Sequence, residues 1–118
     1  MEVKYTRLYA GSDGESHFEE VKVPLKVKRS IGEQSEIQKA TGVIFVESNS
    51  SKQIDWHNAP RRQFIINLEG EREVEIGDGT RRILKPGDIL LAEDTTGRGH
   101  ITRLGKGKSH KAVFVTLD

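Results

Sequence analysis

Two histidines, His57 and His100, sit at the two ends of a run of short hairpins and carry most of the chemistry this chain offers. A neutral imidazole nitrogen is a metal ligand or an acid–base group near neutral pH. Between them lie Phe64–Leu68, Glu71–Ile76, Arg82–Leu84 and Asp88–Ala92, separated by Glu69-Gly70, Gly77-Asp78-Gly79 and Lys85-Pro86-Gly87-Asp88. Such turns supply the positive φ angles of tight hairpins. Antiparallel hairpins that close into a small barrel can bring the two rings together. The alternative is an empty or apolar-ligand cavity whose histidines bond to each other, to Gln63 or to water.

The elements around this run read as strands. Residues 1–9 mix apolar and polar positions and read as a strand stopped by the Gly11–Gly14 turn. Residues 17–27 alternate with the period of a half-buried strand, Pro24 confining them to an edge or a bulge. Residues 29–41 read as an excursion loop with one helical turn near 33–39. Val43–Val46, Gln53–His57, Ile101–Leu104 and Ala112–Leu117 complete about ten strands, an all-β sandwich or barrel. Asn49-Ser50-Ser51 matches a glycosylation sequon, read as chance, beside a turn.

Bulk properties narrow the function. The 118 residues fit one domain, 1–118, with N-terminal strands and loop over 1–39 and a barrel over 40–117. A net charge of +1 with 31% charged residues argues against a nucleic-acid or membrane partner. The absence of cysteine excludes disulfide and thiolate chemistry. No apolar run is long enough to span a bilayer, and the first residues do not resemble a secretory signal, so the expected location is cytoplasmic.

The hairpin core resembles the cupin superfamily, the small double-stranded β-helix or jelly roll. The family's first motif runs Gly, His-x-His, three or four residues, Glu, six residues, Gly. Here His57, Ala59, Gln63 and Gly70 fall on that frame. Its second motif, a Pro-Gly-Asp turn, a strand and a loop ending in His, is matched by Pro86-Gly87-Asp88, Ile89–Ala92 and His100. The family's Pro-x-Gly before that histidine is replaced by residues 94–99. The match covers roughly residues 40–117, and its His-x-Ala-Pro-Arg-Arg-Gln and Glu-Asp-Thr-Thr-Gly segments are similar to those of single-domain bacterial cupins.

The resemblance implies a cupin-type jelly-roll barrel with a small-molecule ligand and a divalent metal: Zn, Ni, Fe, Mn or Cu. The implied ligand set is His57, Gln63 and His100, short of the family's three histidines and a glutamate, because Ala59 and Gln63 replace two of them. Strand parity puts Gln63, Ile65 and Asn67 on one face. Ile65 and Asn67, with Arg62, are the candidate ligand contacts. The implied activities are those of a metal-dependent dioxygenase, isomerase or lyase, or else a non-catalytic binding or sensor module. A homodimer through the N-terminal strands is expected.

The remaining polar groups are read as structural. Glu93 and Asp94 are taken as a solvated loop pairing with Arg61, Arg62 or Arg98, against the alternative of a replacement carboxylate at the mouth. Glu71, Glu73 and Glu75 read as a solvated strand face. Trp56 reads as a packing residue, and His17 and His110 as lone structural or exposed histidines.

Overall fold

A computed structural model describes residues 2–48, 52–105 and 109–118; the sequon and its turn lie outside them. The described chain is all β. It runs β1 (Val3–Ala10), β2 (Ser16–Val23), β3 (Val27–Arg29), β4 (Gly32–Gln34), β5 (Gly42–Ser48) and β6 (Gln53–His57). It continues with β7 (Gln63–Glu69), β8 (Arg72–Glu75), β9 (Arg81–Leu84), β10 (Ile89–Ala92), β11 (His100–Leu104) and β12 (His110–Thr116).

Two sheets make the body, ordered β2-β1-β10-β7-β12-β5 and β6-β11-β8-β9. Their last eight strands interleave so that successive strands alternate between sheets except at the β8–β9 hairpin. That is the winding of a jelly roll. β1 joins it by pairing parallel with β10, Thr6 opposite Leu90 and Leu8 opposite Ala92. β2 then lies at the sheet's edge and stops at Val23, before Pro24, where a missing donor does no harm.

The core lies between the sheets. Leu8, Ile65, Leu90, Ala92 and Ala112 from one sheet meet Val74 and Leu84 from the other. Each contributes every second residue, as the pleat requires. In β7, Gln63, Ile65 and Asn67 are buried while Phe64 and Ile66 are half-buried on the outer face.

Two local expectations need correction. Residues 33–39 form no helical turn. Val27–Arg29 and Gly32–Gln34 pair as a separate two-stranded ribbon, and irregular chain follows. Ile31 and Ile37 are almost fully exposed, so a single helical turn there would bury nothing to offset its nucleation penalty. Glu73 and Glu75 are not merely solvated. Arg103 reaches them at 3.1 and 2.7 Å from the neighbouring strand, and Arg81 approaches both from β9.

Candidate functional site

A β-bulge places the first histidine. On β11, His100 and Thr102 are two residues apart, yet their partners on β6, His57 and Ile54, are three apart. One extra residue on β6 lets both Ile54 and His57 face the interior, which strict alternation would forbid. Gly99, at φ +81, passes so close to the His57 carbonyl that a side chain there would collide with it. Glycine is therefore required at the point where the two histidine-bearing strands meet.

The ring centroids of His57 and His100 are 4.4 Å apart. The Nδ1 of His57 lies 2.8 Å from the carbonyl oxygen of Asp55, which can only accept, so Nδ1 carries the proton. The Nδ1 of His100 lies 2.6 Å from Asp94 Oδ2, a carboxylate acceptor, and donates likewise. Both rings therefore keep Nε2 as the free acceptor, the tautomer found in metal-bound histidines.

Gln63 joins them on the wall of one cavity of about 320 Å³, together with Ile65, Ala59 and Arg61. Its Oε1 accepts a bond from Arg61 Nη1 at 3.1 Å, leaving one lone pair on that oxygen. The structure thus gathers His57, Gln63, His100 and Ile65 at one cavity. It places the other two candidates elsewhere. Asn67 is buried, but its amide donates to the carbonyls of Gly70 and Leu84 and pins the β7–β8 and β9–β10 turns. Arg62 is exposed and bonds to Glu93 and the Asp118 carbonyl.

The reading of Glu93 and Asp94 as one solvated loop divides. Glu93 does pair with Arg62, and with Arg7 Nε at 2.6 Å. Burial raises its pKa, but the hydrogen bonds from Arg7 and Arg62 outweigh that and hold it below the usual carboxylate value. Asp94 is corrected: it is 0% exposed, and its Oδ2 accepts from both Ser16 Oγ (2.8 Å) and His100. It stands behind His100 rather than at a mouth. Trp56 is half-exposed and carries the Arg98 guanidinium 4.9 Å from its ring centroid.

Sequence reasoning passed over Arg72, whose side chain also lines the cavity. Its parity with Val74 and Ile76 was the available signal. A second cavity of about 280 Å³ shares Arg72, Ile54, Thr102 and Phe114 with the first and extends to Leu104 and His110. His110 is buried there with Nδ1 unpartnered, whereas His17 is half-exposed beside Asp13.

With their Nδ1 protons committed, the two imidazoles offer at most two nitrogen donors to a divalent ion. Among the described residues no group of three His, Asp or Glu converges, so any third protein ligand would be the neutral Gln63 oxygen. No helix among the described residues is long and apolar enough to cross a membrane.

Comparison with known proteins gives the following. No family model matches the chain. Oryzines biosynthesis cluster protein J of Aspergillus oryzae is 29% identical over 77 residues, 64% of this chain and 41% of that protein. The matched segment is thus under half of the fungal protein's length. Protein NMB1881 of Neisseria meningitidis has a TM-score of 0.47 at 19% identity, over 79% of this chain and 90% of that one. An ethanolamine utilization protein Q of Salmonella typhimurium has a TM-score of 0.43 at 14% identity, over 99% and 97% of the two chains.

Proposed function

We propose that this chain is a small cupin that binds a small-molecule ligand inside its barrel, beside a divalent ion (Zn, Ni, Fe, Mn or Cu) held by His57 and His100. The observation that carries the reading is the pair of rings, 4.4 Å apart on one cavity wall, each with Nδ1 spent and Nε2 free. The ion would supply Lewis acidity at the cavity wall. The chain's residues would do the rest. Asp94 and the Asp55 carbonyl orient the rings, Gln63 offers a neutral oxygen, and Ile65 and Phe114 give apolar walls. The fungal relative is named for a biosynthetic cluster, which accords with a small-molecule role.

A second reading, a ligand-binding module with no tight metal site, is favoured by the Gln63 oxygen that already accepts from Arg61. Removing an anionic ligand weakens a divalent site because no charge offsets the ion. Metal analysis separates the two. The metal reading expects a stoichiometric ion in purified or reloaded protein, lost in both His57→Ala and His100→Ala. Wild-type protein that takes up none of the five ions leaves the ligand-binding module.

A further inference from the structure

The barrel interior holds a cation that the metal site does not use. β8 turns Arg72 and Val74 inward, with Ile76 buried just beyond its end, and Glu73 and Glu75 outward, so the strand's two carboxylates face away from its arginine. Arg7, Arg62, Arg81, Arg98 and Arg103 each reach a carboxylate. Arg72 reaches none among the described residues, and its Nε is buried without a protein hydrogen-bond partner. Its guanidinium carbon lies 5.5 Å from the Phe114 ring centroid, a contact that leaves the planar fork of donors open. Burial lowers its pKa with no acid to oppose the shift, yet a guanidinium stays protonated in proteins.

The position matters as much as the charge. Arg72 lies on the wall shared by the two cavities, between the histidine pair and an apolar recess lined by Val46, Leu104 and Ala112. The other cations on these walls, Arg61 and Lys52, belong to exposed residues. One partly buried positive charge among apolar walls suits a monoanion with an apolar body. A dianion such as a phosphate monoester would need more compensating charge.

We propose that Arg72 binds the carboxylate of a small monocarboxylic acid whose apolar chain occupies the barrel interior. This names the ligand class for the barrel site proposed above and rests on that reading. The acid's two oxygens match the guanidinium fork, and Thr102, on the same wall, offers a neutral hydroxyl beside it.

The test uses butanoate, hexanoate and octanoate against their primary amides, titrated calorimetrically into the full chain with and without one equivalent of Zn²⁺. At least one acid should bind, with its amide weaker by about tenfold or more. Arg72→Met, matched in length but uncharged, should bring that acid down to the level of the amide while keeping the wild-type circular dichroism. Equal binding of acid and amide, unchanged acid binding in Arg72→Met, or binding of none of the three acids would overturn the proposal. Persistence of the acid preference without Zn²⁺ assigns it to Arg72; a preference seen only with Zn²⁺ assigns it to the ion and also overturns it. Metal content, measured on the same samples, reports separately on the histidine pair.

Discussion

The carboxylate of Asp94 holds the Nδ1 of His100 at 2.6 Å, inside a residue with no exposed surface. The same oxygen takes the hydroxyl of Ser16, at the start of β2, so the barrel's histidine is fixed through the N-terminal hairpin. Asp94→Asn keeps the shape but presents an NH₂ or a weaker acceptor to the ring. We expect a loss of roughly 1–3 kcal/mol in stability from the disturbed buried network. A fall of about 10- to 100-fold in metal affinity should accompany it, as for other groups that orient a ligating histidine. Denaturant unfolding and Zn²⁺ titration read the two effects; unchanged affinity in a folded variant would separate Asp94 from the metal site.

Gly99→Ala tests the other support of the histidine pair. The added methyl meets the His57 carbonyl, and the φ of +81 disfavours any side chain. The two penalties together should exceed about 2 kcal/mol and part β6 from β11 near the bulge. Hydrogen exchange should then quicken at these two strands before it does at β7. A variant as stable as wild type would mean that the close approach is not maintained.

How much of this was legible beforehand depends on range. Turns with positive-φ glycine, such as Gly70, Gly79 and Gly87, announce themselves locally, and so the hairpin series was readable. Parity along β7 then put Gln63 and Ile65 inward correctly. The same parity put Asn67 inward, but could not show that two turn carbonyls occupy its amide. The burial of Asp94 depends on Ser16, 78 positions away, and no local pattern carries that. Arg72 fails for a different reason. Its inward parity with Val74 was plain, but a charge beside glutamates reads as surface until the register shows the glutamates bonded to Arg103 on the other face.

Glu93 ties three segments, bonding to Arg7 on β1 and to Arg62 ahead of β7. Its folded pKa lies below its ordinary 4.5 because the two guanidinium bonds outweigh burial. A depressed carboxylate stabilises the fold above its unfolded pKa, and that contribution is lost as pH falls through the folded value. Both arginines are partly exposed, so solvent screening limits the effect to about 1 kcal/mol. Glu93→Gln should therefore be less stable than wild type at pH 7, with the gap closing below about pH 4.5. A gap that persists at pH 3 would assign the loss to packing rather than charge.

We propose that the homodimer expected through the N-terminal strands extends across the outer face of the six-stranded sheet to the β5 edge. Tyr5, Val23, Phe64, Ile66 and Val115 line a shallow apolar recess there, and β1 and β2 supply part of it. At the free edge, β5 turns Phe45 outward with 83% of its surface exposed. An exposed apolar face of this kind is characteristic of association, and an edge strand invites pairing. Light scattering should give twice the chain mass for wild type and the single mass for Phe45→Lys. A monomeric wild type at all concentrations would refute it.

Arg72 should also reveal itself in the absence of any ligand. A partly buried guanidinium beside Ile54, Phe114 and Thr102, with Nε buried and unpartnered, opposes folding because part of its hydration is lost without a carboxylate in return. Methionine preserves the stem that packs against Phe114 and removes the charge. Arg72→Met should therefore raise stability by about 1–3 kcal/mol, whereas Arg72→Ala should not, because it also opens a void. Paired thermal melts of the two variants decide it. A lower melting temperature for Arg72→Met would mean that the guanidinium is already compensated within the barrel and is not held there at a stability cost.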